Sequence, residues 1–220
     1  MPDRPQVAPD LLARAREQTY AAAVSDACDA AGYRNQVIDF DFICFGAADR
    51  VVGRARVVAG VELAAVEAEP YNAEIDFVDS LRPGDVVVAQ FLTSAAQWGE
   101  LFSRAARARG ALGIVADGYV RDTEALLSLD FGVFARGKRP SDCSGRVSVR
   151  VPDSVKVGGV QICDGDVVVA DSDGVVIVPV QAASSILAAA IAKSQTESMA
   201  RELLDGGAYL RDAWERFGVL

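Results

Sequence analysis

An arginine and an aspartate stand side by side just after an apolar run, in the segment GIVADGYVRDTE at residues 113–124. Arg121 offers a planar fork of N–H donors that suits a carboxylate or an enolate oxygen. Asp122 offers the hard oxygen ligands that Mg²⁺ and Mn²⁺ prefer. A turn with a surface ion pair is the simpler interpretation of two such neighbours. The elements predicted around Arg121 and Asp122 indicate whether the pair forms a binding site or only a surface turn.

The absence of histidine from the sequence limits the chemistry of any site. It excludes Ser-His-Asp and Cys-His catalysis and the zinc motifs that need histidine. Carboxylates without histidine or paired cysteines favour a hard cation, which again indicates Mg²⁺ or Mn²⁺. A Schiff-base enzyme needs one activated lysine, and the chain has only Lys138, Lys156 and Lys193. Lys156 stands between two valines, an alternation that predicts a side chain pointing off a strand face.

Composition describes an ordinary folded protein. At 220 residues, with 51% hydrophobic and 24% charged residues, the chain is predicted to form a single domain over residues 1–220. The net charge of −9 argues against a nucleic-acid partner, because nucleic-acid binding depends on clustered basic residues. The arginines at 104, 107 and 109 have helical spacing and are expected to form a solvated helix face.

The sequence also indicates the compartment. Its first residues lack the apolar region of a signal peptide, and no run of about 18 apolar residues could span a membrane. The cysteines form no CxxC pair and are expected to be reduced and mostly buried; they are Cys28, Cys44, Cys143 and Cys163. We therefore expect a cytoplasmic protein without a membrane partner.

A βαβ unit is predicted in the middle of the chain. DVVVAQ at 85–90 is an apolar strand, an amphipathic helix follows over about 97–109, and ALGIVA at 111–116 is a second buried strand after the helix stop at Gly110. Strands joined in this way are parallel and end at the same edge of the sheet. The helix start at Gly99 and Glu100 should therefore lie near Arg121 and Asp122, where ligands bind in such sheets. A helix N-terminus also suits a substrate carboxylate.

The other elements frame this unit. The pattern predicts one or two helices over 10–31, a long loop with short strands over 33–50, a strand or bent hairpin over 50–65, a short helix over 71–81, a β-rich half over 145–180, and a helix over 182–204 followed by a short amphipathic tail. GDVVVA occurs at 84–89 and again at 165–170, which predicts a Gly-Asp turn used twice rather than a duplication. DSDG at 171–174 lacks the later ligands of a calcium loop and predicts a hairpin turn.

Taken together, these motifs resemble those of the RraA-like family. This family includes the regulator of ribonuclease E activity A and the 4-hydroxy-4-methyl-2-oxoglutarate/4-carboxy-4-hydroxy-2-oxoadipate aldolases. The segment GELFSRAARARGALGIVADGYVRDTEAL is similar to the family's signature. Further matches follow in the family's order, namely VSDACDAAG, VVGRARVV, RPGDVVVA, VGGVQICDGDVVVADSDGVVIVP and LRDAWERFGVL.

The resemblance implies an α/β fold like that of a swivelling phosphohistidine domain, assembled as a trimer or as a hexamer of two trimers. It also implies a Mg²⁺- or Mn²⁺-dependent lyase that releases pyruvate from a 2-oxo acid, with oxaloacetate decarboxylation as a common second activity. Under it, Asp122 anchors the metal and Arg121 stabilises the enolate. Glu100 and a Glu197 supplied by a neighbouring subunit serve as further acidic groups. The helix start at Gly99 binds the substrate carboxylate through its next amides, those of Leu101 and Phe102.

Alternatives to this interpretation stay open. Glu197 and Arg201 are spaced i, i+4, so a helix-stabilising ion pair is the simpler role for them. The family's namesake inhibits a ribonuclease without chemistry of its own, so a non-catalytic binding protein is the second hypothesis. A nucleotide-binding module would need G-x-G-x-x-G after a strand, which the sequence lacks. Gln90 stands where the family often has an acidic residue, and the aromatic segment YRNQVIDFDFICFG at 33–46 is expected to reshape the mouth of the pocket.

Overall fold

The computed structural model describes residues 7–219. Its helices are α1 (Pro9–Gln18), α2 (Ala21–Ala30), α3 (Asn72–Asp79), α4 (Glu100–Ala108), α5 (Thr123–Leu127), α6 (Val180–Asp205) and α7 (Leu210–Phe217). Its strands are β1 (Ile43–Phe45), β2 (Val51–Glu62), β3 (Asp85–Leu92), β4 (Ala96–Trp98), β5 (Gly113–Val120), β6 (Gly132–Lys138), β7 (Val147–Arg150), β8 (Ser154–Val157), β9 (Val160–Cys163), β10 (Val167–Asp171) and β11 (Gly174–Val178).

One mixed sheet organises these elements. Its strand order is β1-β6-β5-β3-β2-β10-β11. The central strands β6, β5, β3 and β2 run parallel, whereas β1, β10 and β11 pair antiparallel at the two edges. β7 pairs with the end of β2, and β8 with β9 forms a separate hairpin. The α/β class is confirmed.

The predicted βαβ unit is present as β3–α4–β5. The two strands pair in parallel from Val86 opposite Gly113 to Gln90 opposite Asp117. Beyond Asp117, β4 takes the place of β3 beside β5, with Ala96 opposite Tyr119. Because β4 on one side and β6 on the other keep β5 paired there, β5 continues to Val120, past the predicted end of the strand. This extension carries the chain to Arg121.

Three large clusters of apolar side chains and a small one at Ala95, Cys143 and Val147 fill the space around the sheet. Helices α3, α4 and α5 cover one face at Phe77, Ala106 and Leu126. Helices α1, α2 and α6 pack against β10 and β11. The other face is covered by the β8–β9 hairpin and by the aromatic segment, with Phe40 and Phe42 against the cluster. Burial of this apolar surface supplies the main stabilisation.

Most of the predicted elements are found, with corrections. Of the two alternatives for the region 50–65, a strand or a bent hairpin, the continuous strand is the one found, over Val51–Glu62. Gly53 lies inside this strand, and the position requires glycine because a Cβ there would come within 2.5 Å of the Gly84 carbonyl oxygen. The α1–α2 pair, the long α6 and the β10–β11 hairpin are confirmed. The expectation of mostly buried thiols is half right: Cys28 and Cys143 are buried, but Cys44 and Cys163 are exposed on short strands.

The repeated Gly-Asp sequence forms the same turn twice, as predicted. Gly84 and Gly165 both have positive φ, at 84° and 94°. Asp85 accepts a hydrogen bond from the N–H of Arg82 at 2.8 Å, and Asp166 accepts one from the N–H of Cys163 at 2.8 Å. Each turn starts a strand that flanks β2, which explains the shared sequence without an internal duplication.

Candidate active site

A cleft of about 220 Å³ lies where β4 meets α4, at the end of β5. Five residues predicted for the site line it, namely Gly99, Leu101, Phe102, Arg121 and Asp122. The expected meeting of the α4 N-terminus with the Arg-Asp pair is therefore confirmed.

Backbone hydrogen bonds and a left-handed residue hold the Arg-Asp pair in place. The N–H of Arg121 donates to the Trp98 carbonyl oxygen at 2.9 Å, which ties the end of β5 to the strand before α4. Asp122 has a φ of 59°, a conformation that aspartate tolerates better than most residues. Its carboxylate accepts a hydrogen bond from the N–H of Glu100 at 3.2 Å. Asp122 therefore joins the two segments that form the site.

Gly99 is required by space rather than by conformation. Its φ of −149° is available to any residue. A Cβ at this position would stand 2.5 Å from Asp122 Oδ2 and 3.1 Å from Arg121 Cγ. The close approach of α4 to the Arg-Asp pair thus depends on a missing side chain.

A buried hydrogen-bond relay, which was not predicted from the sequence, stabilises the helix start. Trp98 Nε1 donates to Ser103 Oγ at 2.8 Å, and Ser103 Oγ donates to the Gly99 carbonyl oxygen at 3.0 Å. Ser103 is completely buried, and Phe102 packs on Trp98 with ring centroids 5.5 Å apart. The i, i+4 spacing of Gly99 and Ser103 is the only signal of this relay in the sequence.

The α4 N-terminus faces the cleft with the N–H groups that follow Glu100, whose own N–H donates to Asp122. The first N–H groups of a helix have no partner within it, and together with the helix dipole they attract anions. Leu101 and Phe102, the second and third residues of α4, both line the cleft. The Glu100 side chain pairs with Arg104 one turn further along α4 and lies beside the cleft rather than in its lining.

The opposite wall of the cleft was not predicted. Asp142 Oδ1 lies 3.6 Å from Arg121 Nη1, and the Tyr71 hydroxyl donates to Asp142 Oδ2 at 2.7 Å. This hydrogen bond raises the pKa of Tyr71. Glu74 lines the same wall, and burial raises the pKa of its carboxyl group. Tyr71 immediately precedes α3, Glu74 lies in α3 and Asp142 lies in the loop after β6, and nothing in their local sequence indicates a site.

Glu197 lies outside the cleft of its own chain. It accepts a hydrogen bond from the Tyr20 hydroxyl and stands 3.7 Å from Arg201 and 3.8 Å from Lys193 on α6. The helical ion pair expected from the i, i+4 spacing is therefore present. Burial raises the pKa of the Glu197 carboxyl, with Arg201 opposing the shift. Its role in a neighbouring subunit's site stays a prediction.

The aromatic segment, Gln90 and Lys156 all lie outside the cleft lining. The aromatic segment was expected to reshape the mouth, but it packs on the sheet. There Arg136 lies 3.8 Å above the ring of Phe40, and neither residue lines the cleft. Gln90 donates to the Lys156 carbonyl oxygen at 2.6 Å and also lies outside the lining. The Lys156 side chain is exposed, as its alternation predicted.

Within residues 7–219, no three Asp, Glu, Cys or His side chains are grouped closely enough to hold a metal ion. Asp122 and Glu100 are the carboxylates nearest to the α4 start. Mg²⁺ commonly takes only one or two protein carboxylates and completes its shell with water and substrate oxygens. The helices of the same residues are each too short or too polar to cross a bilayer.

The fold and the cleft define an α/β protein that presents an arginine, carboxylates and a helix N-terminus at one edge of a parallel sheet. The profile of the RraA-like family, described as Aldolase/RraA, matches residues 21–177. A protein of Halalkalibacterium halodurans, provisionally named 4-hydroxy-4-methyl-2-oxoglutarate aldolase, is 36% identical over 161 residues, which cover 70% of this chain and 71% of that protein. The chain belongs to the RraA-like family.

Solved structures agree with this assignment. An uncharacterized protein from Pseudomonas syringae superposes with a TM-score of 0.83 at 26% identity and covers 99% of both chains. RraAS2 of Streptomyces coelicolor, an unusual member of the RNase ES inhibitor RraA protein family, superposes with a TM-score of 0.78 at 27% identity. That match covers 90% of this chain and 99% of the other. The matches extend beyond the βαβ unit to most of the fold.

Proposed function

We propose that this protein is a divalent-metal-dependent aldolase that cleaves a 4-hydroxy-2-oxo acid and releases pyruvate. The observation that carries the proposal is the convergence of Arg121, Asp122 and the α4 N-terminus on one cleft. The similarity to the Halalkalibacterium aldolase supports the same reaction class. Lys138, at the end of β6, and Lys156, on β8, are both exposed, which argues against a Schiff base because such a lysine is usually activated by burial.

The substrate's C1 carboxylate binds at the N-terminus of α4, against the amides of Leu101 and Phe102. This places the C2 carbonyl toward Arg121, whose guanidinium can donate to the developing enolate oxygen. Asp122 would hold the Mg²⁺ or Mn²⁺ ion, because the exposed Asp122 carboxylate is a hard oxygen donor. Glu100 would act on the ion through water. When bound, the ion supplies Lewis-acid polarisation of the oxo acid.

The cleavage balances without a redox partner. The C3–C4 bond breaks and its electron pair becomes the enolate of pyruvate, while C4 becomes a carbonyl carbon. The C4 hydroxyl proton passes to a carboxylate through an intervening water, and we assign this role to Glu100 or to Glu197 of a neighbouring subunit. A proton is then returned to C3 to form the methyl group of pyruvate. Oxaloacetate would give the same enolate with loss of CO₂, so decarboxylation is expected as a second activity.

The assignment of Glu197 requires an oligomer. Within its own chain Glu197 lies outside the cleft lining, so it can reach a cleft only in a neighbouring subunit. We therefore propose a homo-oligomer, a trimer or a hexamer of two trimers, with each cleft at a subunit interface.

Pyruvate release, coupled to lactate dehydrogenase, tests the proposal. Oxaloacetate and 4-hydroxy-4-methyl-2-oxoglutarate are offered with Mg²⁺ or with EDTA. Arg121→Ala should lower kcat/KM on the order of a hundredfold or more, as expected for loss of an oxyanion-stabilising donor. Arg109→Ala is the matched control, because Arg109 is exposed at the end of α4 and outside the cleft lining. Pyruvate release that survives EDTA or the Arg121 substitution would refute the mechanism.

The second candidate is a non-catalytic protein that binds and inhibits a ribonuclease. The likeness to the Streptomyces RNase ES inhibitor family member favours it. A chain that releases no pyruvate, binds no Mg²⁺ and yet lowers the rate of a purified ribonuclease would support this role over the aldolase.

A further inference from the structure

The cleft has a second wall, opposite Asp122. The side chains of this wall would contact the part of a substrate that lies beyond the oxo-acid group. This wall, here called the acidic half, consists of Tyr71, Glu74, Gln97 and Asp142. Among the described residues that line the cleft, Arg121 is the only cation. It already lies 3.7 Å from Asp122 and 3.6 Å from Asp142. Other cations lie near the cleft but outside its lining: Arg146 lies near Glu62 and Cys143, and Lys138 and Arg139 line an adjoining pocket on the side of Arg121.

The buried side-chain amide of Gln97 also indicates that a ligand binds in this part of the cleft. It is only 9% exposed, and neither its Nε2 nor its Oε1 has a hydrogen-bond partner among the residues described. The amide lies over Gly60 of β2, where a Cβ would come within 2.6 Å of Nε2. A buried amide without partners is unfavourable. Gln97 lines the cleft, so an amide turned away from Gly60 would gain partners from a ligand bound there.

The acidic half therefore offers acceptors and one amide that both donates and accepts. Carboxylates accept hydrogen bonds from hydroxyl groups, and a hydroxyl group can also pair with either atom of the glutamine amide. A second carboxylate on the ligand would instead face Glu74 and Asp142, and like charges placed together across a binding site are strongly unfavourable. Burial already raises the pKa of Glu74, with Asp142 adding to the shift.

We propose that the acidic half binds the neutral, hydroxyl-bearing tail of the substrate, so that the preferred substrate is a polyhydroxylated 4-hydroxy-2-oxo acid rather than a dicarboxylate. This inference rests on the proposed aldolase function. It makes Glu74, Gln97 and Asp142 the residues that determine specificity, while Arg121 and the α4 N-terminus bind the oxo-acid end.

The test compares pyruvate release from 4,5,6-trihydroxy-2-oxohexanoate and from 4-hydroxy-4-methyl-2-oxoglutarate, with the full chain and Mg²⁺. We expect kcat/KM to favour the hydroxylated compound on the order of a hundredfold. Glu74→Gln removes one negative charge and should move this ratio toward the dicarboxylate by about tenfold or more. Glu69→Gln is the matched control, because Glu69 is exposed outside the lining and pairs with Asn72; it should leave the ratio unchanged.

A separate readout isolates the oxo-acid end. Exchange of the methyl protons of pyruvate in D₂O, followed by NMR, needs no substrate tail. If wild-type protein catalyses this exchange but prefers the dicarboxylate, or if Glu74→Gln leaves the ratio unchanged, the inference is overturned and the aldolase function stands. If neither exchange nor pyruvate release occurs, the proposed function fails and the inference fails with it.

Gln97→Met gives a second variant in case Glu74→Gln does not fold. Methionine keeps the approximate volume and removes both unpaired polar atoms, so the Tm of the free protein should rise. The kcat/KM for the hydroxylated compound should fall by about tenfold, as expected for loss of a hydrogen-bonded contact. A lower Tm with an unchanged substrate ratio would assign Gln97 a purely structural role and overturn its place in the acidic half.

Discussion

Gly99→Ala should disable the cleft while leaving the fold in place. The new Cβ would stand 2.5 Å from Asp122 Oδ2 and 3.1 Å from Arg121 Cγ. Restoring an ordinary carbon–oxygen contact requires a shift of roughly 1 Å. The shift falls on the carboxylate that holds the N–H of Glu100 at 3.2 Å and on the arginine beside it.

The size of the effect follows from this displacement. A misplacement of about 1 Å in a catalytic group can cost on the order of a hundredfold in rate. Overpacking at the same place should lower the free energy of unfolding by about 1–3 kcal/mol. Because the φ of Gly99 is −149°, backbone strain adds nothing, and the whole effect comes from the contact with Asp122 and Arg121.

The assay pairs pyruvate release with urea unfolding of the same preparation. Gly206→Ala is the control, because its φ is −73° and its new Cβ would approach only the carbonyl oxygens of Leu203 and Glu202, at 3.3 Å and 3.5 Å. It should change neither kcat/KM nor, beyond about 1 kcal/mol, the stability. Wild-type activity in Gly99→Ala would refute the reasoning, since the site could then accept a side chain between α4 and the Arg-Asp pair.

Three further predictions concern other contacts. Ser103→Ala leaves the buried Trp98 Nε1 without its acceptor and should lower the free energy of unfolding by about 1–3 kcal/mol in urea, whereas substitution of the exposed Ser128 should be near neutral. The pKa of the Glu74 carboxyl is raised in the folded state. The neutral carboxyl therefore stabilises the fold at low pH, and this contribution is lost as pH rises from the unfolded pKa of about 4.3 through the folded pKa. Glu74→Gln should therefore stabilise the protein at pH 7 and lose this advantage at pH 3; an equal difference at both pH values would contradict the sign. Mixed oligomers of Arg121→Ala and Glu197→Ala subunits should regain part of the pyruvate release that each variant lacks, and no recovery after verified subunit exchange would place Glu197 outside the site.

Local sequence patterns were sufficient for the βαβ unit and for half of the site. The apolar runs at 85–90 and 111–116, with a glycine stop between them, indicate two buried strands and a crossover helix. Parallel strands end at one edge, so Arg121 and Asp122 had to lie near the start of α4. The absence of histidine likewise excluded histidine-dependent catalysis and histidine zinc sites from the sequence alone.

Only the tertiary structure assigned the opposite wall and the depth of the cleft. Tyr71, Glu74 and Asp142 belong to a short helix and a loop, and their neighbours in the chain carry no periodicity that points toward a site. The exchange of β3 for β4 beside β5, and the packing of the aromatic segment on the sheet, likewise depend on contacts between distant segments. Sequence periodicity reports which face of an element is buried; which polar side chains then meet is decided when separate elements pack against one another.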